Sequence, residues 1–256
     1  MKFDSKDKKI LIFADPHQDI KKLHRIIKHE SADINICLGD WFDSFYFDDD
    51  KNYAQTAEYL LEYLSKPNNY TLYGNHDLNY LFNNDLARCS GYEDRKYESI
   101  NEIIKNDRLH LQNNFKWHFV IDGYLCTHAG LHSTYIPPQC KDLSDINAYL
   151  GTEGEKSLLA LRTYDNHWFY KAGRARGGFW KIGGVVWLDF NYEFEPVDDL
   201  PQIVGHTHRR TQKVECHKSE GFMNPLDANN LCIDTNLEEY LVFTNGKKEI
   251  NSFRDL

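Results

Sequence analysis

Asp15 and His17 stand two residues apart, directly after the apolar run 9–14. A carboxylate and an imidazole on the loop leaving a strand can converge on one cation. Alone the triplet says little, because an aspartate that caps a helix beside a surface histidine is its ordinary meaning. Four later segments repeat the arrangement. Asp40 and Asp43 follow the apolar run 34–38, and Asn75, His76 and Asp77 follow 70–73. His128 closes 124–127, and His206 and His208 follow 202–204.

Hard carboxylate and amide oxygens mixed with imidazole suit manganese, iron, zinc or nickel better than calcium. One cation takes about four to six ligands of this kind, and the set offers more. A pair of cations about 3.5–4 Å apart, sharing one carboxylate, accounts for the surplus. Glycine precedes three of the ligand groups (Gly39, Gly74, Gly205), where it lets the backbone turn sharply at a strand end.

Elements that could position these residues are legible from periodicity. Residues 19–30 read as a helix with Ile20, Leu23, Ile26 and Ile27 inward and Asp19 as N-cap. A second helix spans about 53–64 and a third about 97–106. The acidic tract 48–51 lacks the glycine and distal glutamate of an EF-hand loop and reads as a solvated helix start. Asp77 reads as the N-cap of a following helix rather than a catalytic group. The runs 117–121 and 124–127 form a hairpin around Asp122-Gly123, and Asn245-Gly246 joins 239–244 to 247–251. Residues 131–187 break the pattern. They contain Pro137-Pro138, helical pieces near 158–163 and a glycine-rich stretch, and suggest a cap or insertion within a single domain spanning 1–256.

Composition narrows the function classes. The chain has 256 residues, 41% hydrophobic and 27% charged, which is ordinary for a globular protein. Its formal net charge of −9 argues against a broad nucleic-acid-binding surface, though not against a small phosphate pocket, since bound cations reverse the sign locally. The N-terminus is polar, and no segment has the apolar length that crosses a membrane. Six cysteines form no C-x-x-C pair. Cys37 and Cys126 fall in strand-like runs as buried thiols, and a reducing, cytoplasmic setting fits.

The ordered blocks D-x-H, G-D-x-x-D, G-N-H-D, H and G-H-x-H, from Asp15 to His208, resemble the signature of the calcineurin-like metallophosphoesterases. The resemblance implies an α/β fold: a four-layer αββα sandwich of two mixed sheets flanked by helices, with the ligands on loops at one edge. It implies that Asp15, His17 and His208 hold one metal, that Asn75, His128 and His206 hold the other, and that Asp40 bridges them. Manganese is the first expectation, with iron, zinc or nickel as alternatives. His76 becomes the acid that protonates the leaving oxygen, oriented by Asp43. The expected reaction is in-line attack on phosphorus by a metal-bridging hydroxide, with no covalent phospho-enzyme.

The segment His128-Ala129-Gly130-Leu131 looks like that of the protein serine/threonine phosphatases and the diadenosine tetraphosphate hydrolases. That branch carries Arg-Gly after G-D-x-x-D, where this chain has Ser44-Phe45. The complete G-H-x-H block is closer to the phosphodiesterase and nuclease branches. A phosphomonoesterase acting on phosphoprotein or nucleotide is therefore the first expectation. A phosphodiesterase or nuclease, on cyclic nucleotides, dinucleoside polyphosphates or short nucleic acid, is the second, and a non-catalytic metal-binding scaffold is the third. Arg174, Arg176 and Arg209, with Lys181 and Arg210, are candidates to grip substrate oxygens. Trp41 and Phe42 are expected to pack inside and His132 to be exposed. His118, His167 and His217 have no assigned role.

Overall fold

The computed structural model describes residues 1–44, 46–221 and 223–256. Phe45, noted above in the Ser44-Phe45 pair, lies outside them. The chain begins β1 (Lys2–Phe3), β2 (Lys9–Phe13), α1 (Ile20–Glu30), β3 (Ile34–Cys37), α2 (Asp50–Ser65) and β4 (Asn69–Thr71). Three helices follow: α3 (Asn75–Phe82), α4 (Asp94–Ile104) and α5 (Arg108–Asn114). The hairpin β5 (His118–Ile121) and β6 (Tyr124–Thr127) leads to the long α6 (Leu143–Thr163). The chain closes with β7 (Gln202–Val204), β8 (Glu215–Cys216), β9 (Asn230–Cys232), β10 (Glu239–Thr244) and β11 (Lys247–Ser252).

These strands form two mixed sheets, one in the order β11-β10-β2-β3-β4, the other β1-β5-β6-β7-β9-β8. Within the first, β2, β3 and β4 run parallel; within the second, β6, β7 and β9 do. Parallel strands need long crossovers, and α1 and α2 supply two of them. Ile10, Ile12, Ile34 and Ile36 of one sheet pack with Phe119, Ile121, Cys126, Ile203 and Leu231 of the other. Leu11, Phe13 and Cys37 alternate to the opposite face and meet Leu23 and Ile26 of α1 and Tyr53, Ala57 and Leu60 of α2. This alternation, with period two on strands and 3.6 on helices, builds the expected layers.

Local capping explains the helix starts. The side chain of Asp19 accepts the Lys22 amide hydrogen, and Asp49 does the same for Asn52, so the acidic tract is a helix start. At Asn245-Gly246 both residues have positive φ, 50° and 73°, as a two-residue hairpin turn requires.

The structure corrects several expectations. Residues 143–163 form one unbroken helix rather than helical pieces near 158–163; Gly151 and Gly154 interrupt its helical signal in sequence. That helix lies against the start of the β5 hairpin, where the Trp117 indole N–H donates to the Gly154 carbonyl at 3.1 Å. The short strands β1 and β8 and the helix α5 gave no clear signal in the sequence. α3 begins at Asn75 with Gly74 as N-cap, so Asp77 is the third residue rather than the N-cap, and its side chain closes the helix start by accepting the Gly74 amide hydrogen. His132 is buried, its Nδ1 accepting the Thr134 amide hydrogen and its Nε2 3.4 Å from Glu195. Trp41 and Phe42 are fully buried, as expected.

Candidate metal centre

The carboxyl ends of β2, β3 and β4 meet those of β6 and β7 at one edge of the sandwich. The loops leaving them are tied together by their backbones. The amide hydrogens of Asp15, His17 and Gln18 are donated to the carbonyls of Gly39, Asp40 and Trp41, at 3.1, 3.0 and 3.0 Å. Gly205 donates to the His128 carbonyl at 2.7 Å. Asp15 reaches across to the other sheet, its carboxylate accepting the His206 amide hydrogen at 3.0 Å.

Asp15, His17, Asp40, Asp43 and His206 all have φ between 39° and 63°, the left-handed region that non-glycine residues seldom adopt. Such backbone persists only where its surroundings over-determine it, and it collects at functional sites. Of the three ligand-preceding glycines, Gly39 (φ 103°) fits the expected turn. Gly74 and Gly205 serve close approach instead. A Cβ on Gly74 would lie 2.0 Å from Asp40 Oδ1, and one on Gly205 would lie 2.2 Å from Asp15 Oδ2.

The side chains gather into adjoining groups. Ligand atoms of Asp15, His17 and Asp40 lie within 4.8 Å of one another, and so do those of Asp40, His128 and His206. Asp40 is common to both. Its Oδ2 is 3.3 Å from His128 Nε2 and 3.8 Å from His17 Nε2, while Oδ1 accepts the His76 amide hydrogen at 2.9 Å. Asn75 Oδ1 lies 3.0 Å from His128 Nε2. Backbone carbonyls orient two of the rings: Phe42 O is 2.8 Å from His17 Nδ1, and Leu38 O is 2.7 Å from His128 Nδ1. Contacts of this kind fix the nitrogen that faces a metal.

A third group adjoins these. His76 Nδ1 is 2.9 Å from Asp43 Oδ2 and 3.2 Å from Cys89 Sγ. The other oxygen of Asp43 accepts the Tyr80 hydroxyl and lies 3.7 Å from the buried Lys96 ammonium. Burial opposes a charge on His76. Asp40, then Cys89 and Asp43, outweigh it and hold the ring's pKa well above the usual histidine value.

The donor set fits divalent cations on its own evidence. His206 Nε2 is buried with no hydrogen-bond partner among the described residues. Burial, then Arg176 and His128, push its pKa well below the ordinary value, which favours the neutral form that ligates metal. Burial, then the neighbouring Asp234 and Asp40, raise the pKa of Asp15. Buried carboxylates crowded in this way call for positive charge between them.

Other residues stand differently. The His208 side chain is 47% exposed and its Nδ1 faces Asp234 Oδ1 at 3.6 Å, outside the group formed by Asp15, His17 and Asp40. Asp234, two residues beyond β9, is buried at the same edge, and that oxygen has no hydrogen bond among the described residues. Arg176 is committed to Asp189 at 2.8 Å, to Thr207 Oγ1 at 2.9 Å and to the His206 carbonyl at 3.3 Å. Arg209 is committed to Asn191 and Glu215. Arg174 is exposed. His118 is buried 3.1 Å from Asn147 Oδ1, His167 is 3.2 Å from Glu153, and His217 is buried.

Sequence reasoning missed Cys89, Tyr80, Lys96, Asp234 and the real place of Asp77. Asp234 had one usable signal, its position after a strand, but no neighbouring ligand residue marked it. Asp77 accepts the amide hydrogens of Asp40, Trp41 and Gly74, at 2.9, 2.8 and 2.9 Å, and so clamps two ligand loops together.

Two sheets with helices outside them, and loops at one edge that carry groups able to hold metal, define a metallo-dependent phosphatase fold. The chain belongs to the calcineurin-like phosphoesterase family, whose sequence model matches residues 8–210. It is a metal-dependent phosphoric ester hydrolase. No curated protein matches it in sequence. Among solved structures it resembles the cold-active protein-tyrosine phosphatase of a psychrophilic Shewanella species, at 15% identity and a TM-score of 0.58, over 100% of this chain and 80% of that one. It also resembles a protein serine/threonine phosphatase from Saccharomyces cerevisiae, at 15% identity and a TM-score of 0.58, over 99% and 82% of the two chains. At such identities the likeness concerns the fold.

Proposed function

We propose that the protein hydrolyses phosphomonoesters at a dinuclear manganese centre. Asp15 and His17, joined by His208 from its place beside Asp234, would hold one ion, Asn75, His128 and His206 would hold the other, and Asp40 would be common to both. Bound there, the cations would lower the pKa of water and neutralise the phosphoryl oxygens. The chain's own groups supply the rest. Asp40 aligns the two ligand sets through Oδ2, which faces both His17 and His128, while Oδ1 is held by the His76 amide hydrogen. Asp43 holds the Nδ1 edge of His76, leaving Nε2 to give a proton to the departing oxygen. Asp77 keeps the two loops in register.

The observation that carries this reading is the membership of Asp40 in both ligand groups, with the His76–Asp43 pair alongside. The shape of the site favours one ester substituent. On the His206 side the Trp187 ring lies 5.6 Å from the imidazole, and His128 is wholly buried. On the His17 side a cleft opens. The whole chain acts as one unit, with 131–187 framing the site through Arg176 and Trp187. The six free cysteines support a reducing, cytoplasmic setting, and no helix among the described residues is long and apolar enough to cross a membrane.

One observation favours a second reading, phosphodiester hydrolysis. The guanidinium groups of Arg176 and Arg209 are already committed, so neither is spare to grip a doubly charged terminal phosphate. Turnover of p-nitrophenyl phosphate against bis-p-nitrophenyl phosphate with manganese decides between them. Faster monoester turnover is expected, and a clear preference for the diester would overturn the proposal.

A further inference from the structure

The loop after Asp43 departs from the Arg-Gly pattern and is built as a platform. Gln18, almost wholly buried, holds both of its ends: its Oε1 accepts the Ser44 amide hydrogen and its Nε2 donates to the Phe47 carbonyl, each at 2.9 Å. Ser44 Oγ accepts the amide hydrogens of Tyr46 and Phe47 at 3.0 and 3.1 Å. Tyr46 and Phe47 are nevertheless presented outward, 82% and 36% exposed. Both line a cleft of about 250 Å³ that Asp15 and His17 also line. The His17 ring is 5.3 Å from His76, so the cleft opens beside the group that would release the leaving oxygen.

The side chains of the cleft rim disfavour a second phosphate. Its lysine, Lys22, is spent on Glu238 and on the Asn236 carbonyl. Asp19 and Glu238 add negative charge to the rim. The amides of Gln212 and Asn236 also line it, and their side chains hydrogen-bond to no other described residue. An uncharged planar ring with polar edges matches all of these features. Aromatic faces stack on any nucleobase, and free amides can meet its edge.

We propose that Tyr46 and Phe47 are specificity-determining residues that stack the base of a nucleoside monophosphate in this cleft. The inference rests on the monoester reading above. It is tested with the manganese-loaded protein and two substrates of the same leaving-group chemistry, adenosine 5′-monophosphate and ribose 5-phosphate, the second carrying an anomeric hydroxyl in place of the base. In Tyr46→Ala, Phe47→Ala and the double variant, the ratio of kcat/KM for the nucleotide to that for the sugar phosphate is expected to fall about five-fold or more, as loss of a stacking partner implies. Tyr46→Trp is expected to keep the ratio. If the unmodified protein turns over both substrates and the ratio does not move in the alanine variants, the inference is overturned and the monoester reading stands. If the unmodified protein turns over neither but cleaves a diester, the monoester reading fails and the inference falls with it.

Discussion

The carboxylate of Asp77 holds the backbone of Asp40, with Oδ2 accepting the Asp40 amide hydrogen at 2.9 Å. It also accepts from Trp41 and Gly74, so one buried group fixes the turn that aims the shared ligand. Each buried donor left unpaired costs about 1–3 kcal/mol. Asp77→Ala is expected to destabilise the protein by several times that of an ordinary surface change, and Asp77→Asn by less. Both are expected to lose bound metal although Asp77 belongs to neither ligand group. Urea unfolding and elemental analysis check this; unchanged midpoint and metal content would refute the clamp.

Asp40 serves both ligand groups, so its loss differs from the loss of a peripheral ligand. Asp40→Asn keeps the shape and removes the charge. It is expected to lower the bound metal by more than one ion per chain in elemental analysis. Activity is expected to fall by more than the roughly 10–100-fold that follows loss of an outer-sphere partner. A variant that retained both ions would show that Asp40 does not bridge.

His76 and Asp43 are assigned to leaving-group protonation, which matters little when the leaving group is already a stable anion. His76→Asn and Asp43→Asn are expected to slow hydrolysis of an alkyl phosphate by roughly 10²–10⁴-fold. Their effect on p-nitrophenyl phosphate is expected to be far smaller. Equal losses on both substrates, measured as kcat, would argue that the pair positions ligands instead.

His118 links stability to pH. Burial, reinforced by the positive chain N-terminus, pushes its pKa down to about 4 from an ordinary 6.5. The folded protein thus favours the neutral ring, and the unfolded chain takes up the proton first. The contribution is complete above pH 6.5 and declines as pH falls from 6.5 through 4, by up to about 3 kcal/mol. In His118→Gln the loss of stability between pH 7 and pH 4.5 is expected to be shallower than in the unmodified protein. Parallel curves in chemical denaturation would exclude His118 as the source.

Much of this protein is local, and what is local can be read from the chain. Asp19 caps a helix within three residues, and Asn245-Gly246 sets a hairpin turn through its own backbone preferences. The strands before Asp15, Asp40 and Asn75 declare themselves by apolar runs, so the ligands could be named in order. The long α6 was hidden because two glycines weaken helical propensity, while contact with Trp117 restores what propensity lacks.

By itself the sequence determined which residue types leave which strands, and hence the chemistry the site can carry. Only the tertiary structure decided how they meet. Asp15 and the His206 amide it holds are 191 residues apart, and no periodicity reports such a contact. Folding put His208 beside Asp234, spent Arg176 and Arg209 on Asp189 and Glu215, and made Asp77, which caps α3 from its third position, also the clamp on Asp40. The physical reason is that capping and alternation depend on neighbours a few residues away. The partner of a buried charge depends on which loops the packed sheets bring to the same edge.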